Sequence, residues 1–272
     1  MNPTFELRLV RSILFLPASN PRAIEKARGL AADLVVLDLE DAVKPELKDS
    51  ARAAAVEAAA DFPRPLAIRI NSDPRWWQAD VEAVARSAAA CAIVPMTRGP
   101  EDVLQAREAT GKPVLAMVET AKGVLAAPAI AEAAAALIAG TNDLAADLGL
   151  RPGGGREPLR TALQTILLAA RAAGIAAFDG VYNRLDDAAG LEAECREGRA
   201  FGFDGKSLIH PNQIDAANSI FGPSDEEMAA ARRLIAAATG GAERYQGEMI
   251  ERMHVEQARF LLARGGGATS GE

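Results

Sequence analysis

Cysteine and histidine are nearly absent: the 272 residues hold two of each, Cys91, Cys195, His210 and His254. So few thiols and imidazoles exclude a disulfide scaffold and leave no ordinary Cys/His zinc site. Aromatic residues make up only 4% of the chain, and the net charge is −7. Both argue against a nucleic-acid partner, which needs stacking platforms and a basic surface. Long apolar runs are missing too. The stretch GVLAAPAI from Gly123 is broken by Pro128 and soon after by Glu132, well short of the roughly 20 residues that span a bilayer. The first residues, MNPTFELRLVRSILFLP, are interrupted by Glu6, Arg8 and Arg11, so no signal-peptide core is expected. No membrane partner and a cytoplasmic location are the expectation. What remains is 49% hydrophobic and 25% charged, enough for a full core. Chemistry in such a chain has to rest on carboxylates, arginines and backbone.

Eight short apolar runs alternate with alanine-rich stretches. The runs are SILFLP from Ser12, LVVLDL from Leu34, PLAIRI from Pro65, CAIVP from Cys91, PVLAMVE from Pro113, ALIAGT from Ala136, IAAFDG from Ile175 and GKSLIH from Gly205. Their near-continuous hydrophobicity suits parallel strands covered on both faces. Between them, segments such as NPRAIEKARGLAA and DVEAVARSAAA place apolar residues at helical spacing. Asn20 before Pro21 reads as an N-cap, and Ser224 with Glu227 as a capping box. Eight strand–helix repeats predict an α/β fold, a (β/α)8 TIM barrel, over residues 1–222, with an open doubly wound sheet as the alternative. A C-terminal helical appendage, expected over 223–264, would pack over the barrel mouth or onto a neighbouring subunit. The tail 265–272 is expected to be disordered.

A barrel of this kind places its active site where the strands end. At those positions stand Asp38, Glu40 and Asp41; Arg69 and Asn71; Glu119; Thr141, Asn142 and Asp143; and Asp179. Carboxylates are rarely buried unpaired, and several at one mouth repel one another unless a cation sits among them. An all-oxygen set without cysteine or histidine points to a hard divalent ion, Mg2+ or Mn2+. Plainer readings stand beside these. Asp143 can serve as a helix N-cap. Glu119 can pair with Lys122 or Arg69, and Arg69 can be an interior ion-pair partner. Glu40 and Asp41 read as supporting rather than direct ligands.

Other motifs fail. GKS at Gly205 lacks the glycine five residues earlier that a P-loop needs, and it enters a strand rather than a helix. PGGGREP at Pro152 reads as a flexible loop. Lys206 and Lys122 are poorly placed for a Schiff base, and no GxSxG elbow exists.

The segments RSILFLPASNPRAIEKA, DLVVLDLEDAVKPELKDSAR, IRIN, AMVETAKGV, GTNDLAADLG, AFDGVYN and GFDGKSLIHPNQI together resemble the citrate lyase β-subunit-like branch of the HpcH/HpaI aldolase superfamily. The resemblance runs from Arg11 to about Phe221. It implies a magnesium-dependent (β/α)8 carbon–carbon lyase, often trimeric, acting on a 3-hydroxyacyl thioester of coenzyme A or an acyl carrier to give an acyl thioester and a small 2-keto acid. It further implies that Arg69 is the substrate-binding and catalytic arginine. Glu119 and Asp143 correspond to the magnesium-binding carboxylates, with Glu119 also contacting substrate and taking part in catalysis. Arg22, Lys26 and Lys206 are candidates for the carrier's phosphates. The family's terminal G-x-M-I-D motif places a catalytic aspartate in a neighbouring subunit's site; here Gly247-Glu248-Met249-Ile250-Glu251 puts Glu251 in its place, longer by about 1.5 Å. A shift of that order can cost about 100-fold in rate. The alternatives are thioester hydrolysis on the same fold, a class II aldolase acting on free 2-keto acids, and a non-catalytic binding subunit.

Overall fold

The computed structural model describes residues 6–153, 155–239, 241–245 and 248–265. All eight expected strands form; β1 keeps its expected bounds and the other seven are trimmed by a residue or two. They are β1 (Ser12–Pro17), β2 (Leu34–Asp38), β3 (Leu66–Arg69), β4 (Cys91–Val94), β5 (Val114–Val118), β6 (Ala136–Ala139), β7 (Ala176–Asp179) and β8 (Gly205–Leu208). Every neighbouring pair is parallel, and β8 closes back onto β1 through Ser12↔Lys206, Ile13↔Ser207 and Leu14↔Leu208. Closure removes the free edges an open sheet would have, so the barrel expectation holds and the doubly wound alternative does not.

Helices fill the connections: α1 (Pro21–Ala27), α2 (Lys48–Ala59), α3 (Pro74–Arg86), α4 (Pro100–Thr110), α5 (Ala121–Leu125), α6 (Ala127–Ala133), α7 (Thr141–Asp147), α8 (Arg160–Ala172), α9 (Ala188–Phe201) and α10 (Ile214–Phe221). Proline in the first turn of α1, α3, α4 and α6 suits positions whose N–H has no intrahelical partner. The Asn20 side chain caps α1 by accepting from the Ala23 amide at 3.1 Å.

Two apolar layers result from the alternation of side chains along each strand. Ile13, Leu34, Val36, Ala67, Ile93, Leu115, Met117, Ala136, Ile138, Ala176 and Phe178 form a small cluster inside the barrel. The opposite parity, including Leu14, Val35, Leu37, Ile68, Val94, Ala116, Val118 and Leu137, packs outward against the helices. Carried one step further along the strands, the inward parity reaches Asp38 on β2, Arg69 on β3 and Glu119 just past β5.

Beyond α10, the capping box forms as expected. Ser224 Oγ accepts from the Glu227 amide at 3.1 Å, and the Glu227 carboxylate accepts from the Ser224 amide at 2.7 Å. It opens α11 (Asp225–Ala237), followed by an antiparallel hairpin of β9 (Glu243–Tyr245) and β10 (Glu248–Ile250), and then by α12 (Arg252–Gly265). The appendage thus carries a hairpin between its two helices, and Gly265 belongs to α12; the rest of the expected disordered tail lies outside the described residues. Arg264 fastens the end of α12 by donating to the carbonyls of Arg8 (2.8 Å), Asp204 and Phe221 (3.0 Å). Arg8 and Asp204 precede β1 and β8, so this anchorage is at the end of the barrel opposite the mouth, not over it.

Among the described residues no helix is long and apolar enough to cross a membrane.

Candidate active site

The mouth holds a cavity of about 410 Å3 lined by Phe15, Leu16, Pro17, Asp38, Asp41, Ala42, Arg69, Met117, Glu119, Ala139, Gly140, Thr141, Asn142, Asp143, Val181, Ser207 and Ile209. Asp38 and Arg69 are register partners on β2 and β3, and neighbours in register point the same way. Their side chains meet in a two-pronged ion pair, Nε to Oδ1 and Nη2 to Oδ2, both 2.6 Å. The free face of Asp38 accepts from the amides of Glu40 (2.9 Å) and Ala42 (3.1 Å). Arg69 Nη1 also reaches Glu40 at 3.1 Å, and its guanidinium stands 5.6 Å from the Phe15 ring. The ion-pair reading of Arg69 is thus realised, with Asp38 and Glu40 as partners. The same side chain still borders the cavity, and the fork does not use all five of its N–H donors.

Glu119 is 2% exposed. It forms no ion pair with Lys122 or Arg69 among the described residues; its Oε1 accepts instead from the Met96 backbone amide. Met96 is the only described non-glycine residue with positive φ, at 50°. Burial, the largest influence, pushes the Glu119 carboxyl up to about 7; the Asp143 and Asp41 charges add to this, while the Met96 amide and Arg69 oppose it. Glu40 is likewise raised to about 7, first by burial, against the pull of Arg69 and the Ser72 hydroxyl. Gly140 makes room for this geometry, because a Cβ there would strike the Glu119 carboxylate and its Cβ.

Asp143 is exposed in the first turn of α7, whose N-cap is Gly140, so the N-cap reading does not apply. Asp41 is exposed at the rim. Among the described residues no three His, Cys, Asp or Glu side chains form a ready-made metal cage. The donor set nevertheless fits a magnesium-sized ion: oxygen only, one buried carboxylate crowded by Asp143 and Asp41, and a cavity open to water. Mg2+ commonly takes one or two protein carboxylates and keeps its other positions for water and substrate.

Two readings, of Asp179 and of Lys206, need correction. Asp179 has outward parity and is fully buried beneath the barrel wall, held by Arg156 and by Lys206. Lys206 is fully buried as well, donating to the Gly180 carbonyl and the Glu194 carboxylate, both at 2.6 Å. It therefore has no surface from which to hold a phosphate. Arg156, near the end of PGGGREP, has its side chain buried against Asp179; Gly154 of that stretch lies outside the described residues. Arg22 and Lys26 are exposed on α1. Glu251 is exposed just past β10, its amide donating to His254 Nδ1 at 2.9 Å, and it does not line its own chain's mouth cavity. Asp38 is the site residue whose role was missed. Its height at the end of β2 was legible, but its pairing with Arg69 depends on the β2–β3 register, which the structure supplies.

Comparison with known proteins gives a consistent result. A model of the HpcH/HpaI aldolase/citrate lyase family matches residues 11–211. The chain is 42% identical over 268 residues to a (3S)-malyl-CoA thioesterase of Cereibacter sphaeroides, covering 93% of this chain and 94% of that one. It is 33% identical over 285 residues to the citrate lyase subunit beta of Escherichia coli, covering 94% and 93%. Its fold superposes on the crystal structure of CitE from Mycobacterium tuberculosis in complex with magnesium, acetoacetate and coenzyme A. That match has a TM-score of 0.81 and 36% identity, covering 96% of this chain and all of the other.

Proposed function

We propose, for a chain that belongs to the HpcH/HpaI aldolase/citrate lyase family, a magnesium-dependent carbon–carbon lyase acting on a 3-hydroxyacyl thioester of the malyl-, citramalyl- or citryl-CoA type. The observation that carries this reading is a buried carboxylate, Glu119, beside Asp143 and across the mouth from a fixed arginine. Glu119 and Asp143 would hold the Mg2+; once bound, it neutralises the carboxylate end of the substrate and polarises the neighbouring oxygen. CitE of M. tuberculosis, bound to magnesium, acetoacetate and coenzyme A, supports both cofactor and carrier.

The chain's own residues supply the remainder. Arg69 is oriented by Asp38 and lines the cavity, where a remaining N–H would donate to the thioester oxygen as it gains negative charge and an enolate forms. In cleavage the hydroxyl loses its proton, the C2–C3 bond breaks, and its electron pair becomes the thioester enolate. A 2-keto acid leaves, and the enolate carbon takes up a proton. We assign this proton exchange to Glu251 of a second copy, in an assembly we propose to be a trimer. Glu40 and Asp41 support Arg69 and the rim.

A second reading has a specific observation behind it: the 42% identical relative is a thioesterase. Hydrolysis would direct water at the thioester carbonyl that Arg69 faces and leave the C–C bond intact. Mass spectrometry with Mg2+, an EDTA control and a panel of malyl-, citramalyl-, methylmalyl-, citryl- and hydroxymethylglutaryl-CoA separates the two. An acyl-CoA plus a 2-keto acid establishes the lyase. Free CoA plus an intact hydroxy acid establishes the thioesterase. EDTA-resistant turnover overturns the metal assignment.

A further inference from the structure

At the end of the barrel opposite the mouth, a second cavity of about 310 Å3 lies between the strand starts and α12. Four arginines converge on it: Arg8 in the short helical turn Leu7–Leu9 before β1, Arg171 in the last turn of α8, Arg199 in the last turn of α9, and Arg264 in the last turn of α12. Two carboxylates pair with them. Asp204 meets Arg171 at 2.8 Å and Arg264 at 3.5 Å, and Glu227 meets Arg199 at 2.6 Å. Arg8 pairs with no carboxylate among the described residues. Its guanidinium lies 4.6 Å from the Phe260 ring, and its Nε is buried without a hydrogen-bond partner among the described residues.

Arginine at a helix C-terminus is favoured by the helix dipole, which accounts for Arg171 and Arg199 one at a time. It does not account for the surplus of positive charge at one point of a chain whose net charge is −7. The crowding also registers in Arg264, whose pKa burial and the neighbouring Arg11 and Arg199 charges pull downward against Asp204.

We propose that this cavity is a binding site for a phosphate-type oxyanion, separate from the mouth, with Arg8 and Arg199 as its donors. Guanidinium groups match tetrahedral oxyanions in both charge and donor geometry. Arg171 and Arg264 spend their donors on backbone carbonyls and Asp204 and supply field rather than contacts. The cavity sits at the low end of the range for small-ligand sites, about 300–1,000 Å3, and holds a phosphate or diphosphate group rather than a whole nucleotide. Its occupant touches the turn before β1, α9 and α12 together, so it fastens the appendage to the barrel.

Calorimetric titration of the full chain with inorganic phosphate, pyrophosphate and ATP, without Mg2+ and at constant ionic strength in chloride, tests this. Saturable binding is expected in the wild type. It should weaken by at least about tenfold when Arg8→Gln and Arg199→Gln are combined, and stay unchanged in Arg196→Gln, an exposed arginine of α9 that lines neither cavity. Stronger binding of ATP than of pyrophosphate, equally sensitive to Arg8 and Arg199, identifies the group as a nucleotide's terminal phosphates; parity identifies a free oxyanion. If the double variant does not fold, Arg199→Gln alone, with a side chain 38% exposed, carries the test. No saturable binding in the wild type, or binding that survives loss of Arg8 and Arg199, overturns the proposal.

Discussion

Glu119 sits where a proton and a cation compete for the same oxygen atoms. With its carboxyl raised to about 7, it is about half protonated at neutral pH in the absence of metal, and only the ionised form binds a cation. Mg2+ affinity measured by calorimetry is therefore expected to be about tenfold weaker near pH 6 than near pH 8. The same shift bears on stability. A carboxyl raised from 4.5 to about 7 on folding makes the native state bind more protons than the unfolded chain between those values. The contributions of Glu119 and Glu40 therefore reduce metal-free stability as pH rises through that window. Replacing Glu119 with glutamine preserves shape and an acceptor for the Met96 amide while removing the titration. Glu119→Gln should lose the rise in melting temperature that Mg2+ gives the wild type, lower turnover by at least about 100-fold, and melt higher than the wild type in metal-free buffer near pH 7. A variant that keeps its Mg2+-dependent shift places the cation elsewhere.

At the scale of single elements, strand height and side-chain parity give different amounts of information. Height alone put Asp38, Arg69, Glu119 and Asp179 at the mouth, and hydrophobic runs with capping signals were enough to place all eight strands. Parity then divides the four residues. Asp38, Arg69 and Glu119 continue the inward row, whereas Asp179 faces the helices and pairs with Lys206 and Arg156. The ion pairs themselves were not legible, because partners such as Asp38 and Arg69 lie 31 positions apart and depend on sheet register. The β6–α7 junction shows how close the backbone comes. Gly140→Ala would drive a methyl group into the Glu119 carboxylate, so Mg2+ affinity should fall together with stability, the latter by about 1–3 kcal/mol in urea denaturation. The loop after β2 depends on Lys48, which is buried and donates to the carbonyls of Leu39 and Glu40 (both 2.7 Å) and to Asn71 Oδ1 (2.6 Å). Lys48→Met leaves those acceptors without their donor and should cost about 2–4 kcal/mol, read in the same denaturation experiment.

For the whole molecule, the role proposed for Glu251 requires a carboxylate outside its own barrel to reach a mouth. The appendage was legible as helices because its capping box and alanine-rich periodicity are local. Its docking was not, since Arg264 contacts carbonyls 256, 60 and 43 positions away. With α12 fastened beneath its own barrel and Glu251 outside its own mouth cavity, service in trans requires a closed assembly in which each subunit's Glu251 meets its neighbour's Glu119 and Arg69. Subunit mixing tests this directly. Glu119→Gln and Glu251→Ala should each be nearly inactive alone. Co-refolded in equal amounts, they should recover about a quarter of wild-type turnover. In random cyclic assemblies about one site in four combines an intact mouth with an intact Glu251 from the adjacent subunit. If Glu251 served its own mouth, every subunit in the mixture would remain defective and no activity would return. If Glu251→Ala alone is fully active, the proton exchange belongs to another group. A monomer by light scattering, with wild-type turnover intact, removes the trans arrangement altogether.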